Sequence, residues 1–518
     1  MSTRSLVRRT VAAVAGGAVV AGGLMAVAPA PSAHAAPANA EAAAAAGWLA
    51  DQLDETGVFS YLDPFSGTEV TDIGTTLDFG LSLLATDPDS DRVTAIAEAV
   101  GTHLEDYVGA TYDATKSSAV AKAAAFYNEA GYDSMVVEGI NLAERLEDSV
   151  DAEGRLGTSP NGDVYGQVWA VRTLFDLGSS KADEAAEYLI DDQRCGTAGW
   201  GYEFGGVCTS AVDGTAYVVH ALLPQASLNP DAQFAVWDAV AWLKANQRAD
   251  GGFGDWGVNN NGSTSEANGS GLAAWALGEA GETAEAEAAA AWVADHQLVD
   301  SPACGGAPAA GESGALGYDD QTIEDAIRFG IVPTDQQTWV IAGAQALAGL
   351  TYLPQRPGAT GTVTGPTGYV HAGTSVKVDV AGLRPGLTSC LTGVGARQWL
   401  VGSSSATVLV PAGTGSHTLT LSYPGGSTTT TLKALDATKL KVKVAATLKA
   451  KKKATIKVKG LAAGESVTVT VGKKTATGTA DAAGVAKVKV KVKKKGKAKV
   501  KVVGAFPDRK GKATTRVV

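Results

Sequence analysis

Between residues 41 and 353 apolar positions recur at helical spacing, and from residue 361 they alternate with a period of two. In the first stretch one unit repeats: an aromatic residue beside an aliphatic one, a Gln about four residues on, then a Gly-x-aromatic turn. Trp242-Leu243, Gln247 and Gly251-Gly252-Phe253 carry it in full. Tyr188-Leu189, Gln193 and Trp200 repeat it with an insertion, and Trp292-Val293 with Gln297 repeat it again. Trp48-Leu49 with Gly57 and Phe59, Arg145-Leu146 with Gly154 and Leu156, and His103-Leu104 with Tyr112 are reduced copies. Each is followed by a second apolar run, rich in Ala and Leu. These runs open on Asp72, Asp163, Asp213, Ser265-Glu266 and Asp335. A polar residue ahead of an apolar-periodic run reads as an N-cap, because its oxygen accepts from orphan backbone N–H groups. Each unit is therefore helix, turn, helix, and the copies together make about twelve helices. Such units cannot bury an apolar face alone and must stack. The Ala-rich second helices suit a crowded inner ring, the first helices an outer one.

After the linker Pro354–Gly358 the period changes. Ser375–Val380, Ala406–Val410 and Ser416–Ser422 alternate between Gly/Pro/Ser turns and predict a small β-sandwich over 361–435. From Asp436, Lys alternates with Val in Lys439–Val444, Ala454–Lys459, Val485–Val492 and Lys497–Val502. That pattern predicts a second sandwich over 436–518, with Val inside and Lys in water.

Trp242 to Phe253 reads Trp-Leu-x-x-x-Gln-x-x-x-Gly-x-Phe. It resembles the QW repeat of squalene and terpenoid cyclases, whose α/α-toroid is shared with protein prenyltransferase β-subunits. The resemblance implies a closed (α/α)6 barrel around a central cavity over residues 41–353. The two β regions resemble the immunoglobulin-like domains of secreted bacterial proteins. The fold class expected is thus multidomain: an all-α (α/α)6 toroid followed by two all-β immunoglobulin-like sandwiches.

The chemistry of the cyclases and prenyltransferases does not follow. Asp191-Asp192 and Asp319-Asp320 are bare pairs, without the Asp-x-Asp-Asp that protonates an alkene or the Asp-Asp-x-x-Asp that binds metal. No His lies near a Cys at a zinc-ligand spacing. Cys304-Gly305-Gly306-Ala307 lacks the Glu and Gln of a thioester motif. No cofactor or metal is expected, and His220 reads as a core histidine. Trp169, Tyr217 and Trp339 fall at matching places in their helices and could line an apolar cavity. Asp72, Asp163 and Asp213, with Glu266 and Asp335, share one mouth of the ring. They are either caps or, as a carboxylate pair, an acid and base for polysaccharide cleavage.

Charge and cysteine placement add a compartment. Arg4, Arg8 and Arg9, the apolar Val11–Ala28 run and Ala33-His34-Ala35 read as a secretory signal peptide over 1–35. The net charge of −11 is segregated. Residues 36–435 hold 16 Lys/Arg against 50 Asp/Glu, a net of −34, and residues 436–518 hold 24 against 4, a net of +20. Such a basic region suits anionic envelope polymers or lipids, while the signal peptide speaks against nucleic acid. Cys195 and Cys208 flank one Gly-rich loop and read as a local disulfide. Cys304 and Cys390 either join the toroid to the first sandwich or stay unpaired. The sequence therefore points to a secreted, non-covalently envelope-associated protein whose toroid binds an apolar or amphiphilic small molecule. The alternatives are a diverged terpenoid cyclase, a polysaccharide-active toroid and a structural adhesin-like protein. Catalysis stays open, with binding favoured by the missing motifs.

Overall fold

The computed structural model describes residues 39–63, 66–158, 164–196, 199–204, 207–254 and 264–518. The expected signal peptide and Asp163 lie outside them. Helices pair along the chain: α1 (Ala40–Asp51) with α2 (Ile73–Thr86), α3 (Asp91–Val108) with α4 (Ser117–Glu129), and α5 (Leu142–Ser149) with α6 (Val164–Leu177). Then come α7 (Ala182–Asp191) with α8 (Val212–Leu222), and α9 (Pro230–Asn246) with α10 (Ala267–Glu279). Last are α11 (Thr283–Asp295), the short α12 (Asp320–Phe329) and α13 (Gln336–Ala346). The second helices contact one another in the cyclic order α2, α4, α6, α8, α10, α13 and back to α2, and each packs on an outer partner. This is the (α/α)6 toroid. Small side chains let the inner helices approach: a Cβ on Gly271 of α10 would stand 2.3 Å from Ala346 Cα.

The repeat is the joint between neighbouring outer helices. Phe59, Leu156, Trp200, Phe253 and Leu316 all plug the core after their turns. Gly154 (φ +83°), Gly251 (φ +92°) and Gly314 (φ +107°) pass so close to the next outer helix that a Cβ would meet Glu184 O at 2.0 Å, Ala288 O at 2.8 Å and Ala44 O at 2.3 Å. Beside two of these turns a Gln amide bonds both sides of the joint. Gln247 Nε2 donates to Gly251 O and Glu285 O, and Gln297 Nε2 to Gly314 O and Glu41 O. The third copy has no Gln in its outer helix. Gln167 of the inner helix α6 takes the place, donating to Gly154 O and Ala185 O. Gly251→Val is expected to cost about 1–3 kcal/mol, since a β-branched residue resists positive φ and its Cβ crowds a carbonyl. A calorimetric scan equal to wild type would show the turn to be tolerant.

Two further cores follow the toroid's. In the first sandwich a five-stranded and a three-stranded sheet enclose Val378, Val408, Leu419, Leu421 and Leu432. In the second, one sheet comprises Lys441–Lys443, Lys453–Lys459 and Val485–Lys491. The other comprises Thr447–Leu448, Lys510–Val517, Gly496–Val503, Ser466–Val471 and Lys474–Thr479. Val458, Val469, Val488 and Val500 face inward, as the alternation requires. This core also encloses an ion pair: Arg509 donates from Nε and Nη2 to Glu465 at 2.7 Å, with both side chains buried.

Cys195, ahead of the hairpin of Gly201–Phe204 and Val207–Ser210, is bonded to Cys208 on its second strand, with Cα atoms 5.1 Å apart. Cys304 is bonded to Cys390 at a Cα separation of 5.7 Å, which ties the toroid to the first sandwich. Around that bond Arg356 pairs with Asp295, Arg384 donates to Ala294 O, and Val299 N donates to Gly386 O at 2.9 Å.

Candidate functional site

Inner helices start at one end of the toroid and finish at the other. Asp72 is the N-cap of α2, with Oδ1 accepting from Thr75 N at 2.9 Å and Oδ2 from Thr75 Oγ1 at 2.8 Å. Glu266 and Asp335 occupy N-cap positions without a side-chain cap bond. Glu266 instead accepts from the Tyr318 hydroxyl. Asp213 corrects the cap expectation outright. The hairpin Gly201–Phe204/Val207–Ser210 feeds straight into α8, so Ala211 is the N-cap and Asp213 lies inside the first turn. There its Oδ2 accepts from the Tyr202 hydroxyl at 3.2 Å.

Tyr202 begins a series of rings. Its centroid lies 5.1 Å from Tyr165, Tyr165 lies 6.2 Å from Tyr217, and Tyr217 lies 5.1 Å from Trp169. Trp169 then meets His220 at 5.7 Å, and His220 meets Trp275 at 4.1 Å. Tyr202 is 41% exposed, whereas Tyr217 and Trp169 are buried at 7% and 2%. The series therefore runs from the rim inward. Burial, reinforced by the Asp213 charge, raises the Tyr165 phenol far above its usual range. Burial does the same to Tyr217, with the charges of Asp78 and Asp213 adding to it. Tyr165 and Tyr217 are hence neutral hydrogen-bonding groups. The structure brings Trp169 and Tyr217 into one series whose outer ring, Tyr202, bonds Asp213. Trp339 stands apart, packed beside Gly317, and Asp72 opens on a recess with His103, Asp106 and Tyr107.

Three polar residues in the inner ring escaped the sequence reading. Asp78 of α2 is 5% exposed and accepts from Lys122 Nζ of α4 at 2.8 Å and from Gln345 Nε2 of α13 at 3.2 Å. Burial opposes the Lys122 ammonium, but Asp78 and Asp72 outweigh it and hold its pKa above the usual value. The available signal was a lone charge within an otherwise apolar run on α2 and α4 and a lone amide in that of α13. Among the described residues no group of three His, Cys, Asp or Glu is placed to hold a metal ion.

At the far end, the C-terminal turns of four inner helices converge on His220. Its Nδ1 lies 3.0 Å from Glu279 Oε2, its Nε2 3.8 Å from Glu129 Oε1, and Arg172 Nε lies 3.9 Å from that same oxygen. Asp176 completes the cluster, 3.5 Å from Arg172 Nε. Burial opposes protonation of His220. The Glu279 charge, its hydrogen bond to Nδ1 and the nearby Glu129 carboxylate exceed it, so the imidazole is raised to about 8. A raised folded pKa stabilises the fold fully below the unfolded value and is lost as pH rises through the folded one. Toroid stability should therefore fall by about 2 kcal/mol or less between about pH 6.5 and 8.5. Thermal melts across that range check this, and His220→Gln should flatten the trend. Equal slopes in both proteins would remove His220 as its source.

No protein-family model and no curated protein matches the chain. Several solved structures are similar to residues of the toroid's extent. An unsaturated glucuronyl hydrolase specific for heparin is 14% identical over 60% of this chain and 95% of its own, with a TM-score of 0.42. A type II terpene cyclase from Scytonema, in complex with geranylgeranyl dihydroxybenzoate, is 13% identical over 60% and 95%, with a TM-score of 0.38. An ent-copalyl diphosphate synthase from Streptomyces platensis is 18% identical over 56% of this chain and 52% of its own, at 0.36. Likeness at this level carries no activity and no site residue across.

Proposed function

We propose that this chain is a secreted, envelope-associated protein whose toroid binds an amphiphilic or apolar small molecule without converting it. The supporting observation is the ring series from Tyr202 to Trp169, which passes from an exposed polar rim at Asp213 to a buried apolar wall. Neutral phenols and an indole offer apolar area with a few fixed hydrogen bonds, which suits a ligand with a polar head and an apolar body. Mass spectrometry of small molecules released from the native full-length protein tests the reading. One amphiphile, recovered reproducibly and lost from Tyr202→Ala, supports it. Protein that is empty from every growth condition overturns it.

A polysaccharide-cleaving toroid is the second reading, favoured by the two carboxylates, Asp78 and Asp213, whose charges both act on Tyr217. Paired carboxyl groups around one sugar-binding ring are the equipment of acid–base glycoside cleavage. Release of new reducing ends from an acidic glycan, abolished in Asp213→Asn, would move the function there.

The envelope association rests on residues 436–518. Their lysines form no ion pair among the described residues; Glu465 and Asp508 are engaged by Arg509 and His371, and Asp436 and Asp481 accept from backbone N–H groups. Among the described residues no helix is long and apolar enough to cross a membrane. The whole chain should sediment with purified envelopes, and a chain ending at Leu435 should stay in solution. Equal sedimentation of both overturns the anchor.

A further inference from the structure

The second sandwich concentrates its charge unevenly. On the three-stranded sheet the outward positions are Lys441 and Lys443, then Lys453, Thr455, Lys457 and Lys459, then Val485, Lys487, Lys489 and Lys491. The register sets lysine directly against lysine: Lys441 opposes Lys459, Lys443 opposes Lys457, Lys457 opposes Lys487, and Lys453 opposes Lys491. Like charges placed opposite each other across a sheet destabilise it. No carboxylate relieves them, since none of these lysines has an ion-pair partner among the described residues. The five-stranded sheet is more dilute. Lys497, Lys499, Lys501, Lys510, Lys512 and Arg516 are interleaved there with Thr468, Thr470, Thr475, Thr477 and Thr514, although Lys501 still opposes Lys512.

We infer that the three-stranded lysine face is a docking surface for an extended phosphodiester polymer of a three-carbon polyol, lying along the strands. The inference rests on the anchor reading and gives it a face and an occupant. Three features of the face select that occupant. Along a strand, lysines two residues apart repeat at roughly 7 Å, and adjacent strands add a second row about 5 Å away. Alternate Cα atoms of a strand and successive phosphorus atoms of a three-carbon polyol phosphate are separated by the same number of backbone bonds. Both extended chains therefore repeat at nearly the same interval. The face also carries lysine and no arginine, so it offers point charges rather than the planar fork that grips a phosphate monoester or carboxylate in two places. A singly charged phosphodiester asks for no more. Last, Thr455 and Val485 are its only other side chains, so there is no ring to stack a base or to seat in a lipid interface. Nucleic acid and membrane are thereby disfavoured. A polymer that neutralises opposed lysines removes their repulsion, so occupancy should also stabilise this domain.

The experiment uses the full-length chain and end-labelled poly(glycerol phosphate), with binding followed by fluorescence anisotropy. Two triple variants change the net charge equally: K441E/K457E/K491E on the three-stranded face, where each new carboxylate faces a lysine, and K497E/K499E/K501E on the other. The first should weaken binding roughly a hundredfold and lower the slope of log K against log salt by about two, at about 0.7 per lost contact on a single strand. The second should change affinity by less than about threefold. Both variants should keep or raise the melting temperature of the last domain, because each relieves repulsion, so weakened binding will not reflect unfolding. Equal weakening by the two variants refutes the face while leaving a diffuse charge anchor standing. Wild-type binding to vesicles of anionic lipid but not to the polymer refutes the occupant. Self-association of the wild type, abolished only by the first variant, would assign the face to the acidic toroid of a second copy and refute it likewise. If neither envelopes nor polymer bind the wild type, the anchor reading itself falls.

Discussion

Gly314→Val should open the toroid at its seam, at a cost of about 3–5 kcal/mol. The seam is where the first and last helix pairs, far apart in sequence, must meet. Gly314 sits at φ +107°, and a Cβ there would stand 2.3 Å from Ala44 O and 3.2 Å from the Trp48 Cβ on α1. A β-branched residue can satisfy neither the dihedral nor the space, so α1 has to withdraw. With it go the bond from Gln297 to Glu41 O at 2.8 Å and the one from Trp48 Nε1 to Glu312 at 2.7 Å. Asn39 Nδ2 would also lose Leu350 O, at 2.6 Å. The parallel change at Gly251 strains a joint between consecutive units, which chain connectivity holds together, and so should cost less. Hydrogen exchange resolved on α1, together with a thermal melt, distinguishes the two. Wild-type protection of α1 in Gly314→Val would mean that the ring is not closed by this contact.

Glu465→Ala should unfold the last sandwich while sparing the rest. Burial opposes ionisation of Glu465. Hydrogen bonds from Arg509 and from the N–H groups of Ala462 and Ala505 outweigh it, and its carboxyl sits below the usual range. Removing that carboxyl strands the Arg509 guanidinium, 2% exposed, without its partner. Breaking a buried pair from one side costs about 3–5 kcal/mol. A domain of this size has roughly 4–12 kcal/mol to lose. A depressed carboxylate pKa contributes stability above the unfolded value and loses it as pH falls through the folded one. The last domain should thus melt progressively earlier below about pH 4.5, with Glu465→Gln less sensitive to acid. Calorimetry of the full-length chain checks both. An unchanged final transition in Glu465→Ala would show that Arg509 finds another acceptor at no cost.

The parts of this fold that could be read in advance are those where geometry admits few residue types. A joint needing positive φ and no Cβ selects Gly251, and a plug behind it selects Phe253 or Trp200, so the repeat survives in print even in worn copies. Lys-Val alternation is legible because one face of each strand meets water. Functions that any nearby side chain can fulfil left no such trace. The amide at the third joint comes from Gln167 on a different helix, because only the position of its NH2 group matters. Asp213 looked like a cap because a helix follows it, yet the hairpin ahead of it turns the carboxylate toward Tyr202. Tyr165, Tyr202 and Asp78 join the site through tertiary contacts that no local period encodes. The same is true of Glu465 and Arg509, 44 residues apart.

The bond between Cys304 and Cys390 has a mechanical consequence. If the tail is held at the envelope and the toroid is dragged by whatever it carries, tension enters the first sandwich from its C-terminal strand. At Cys390 the load can cross directly to Cys304. The intervening chain, which contains α12, α13 and the linker at Pro354–Gly358, then lies outside the direct path. The last inner helix need not stretch before the bond does, so the ring can be pulled without being unwound from its end. Reduction would reroute the same pull through the linker and into α13.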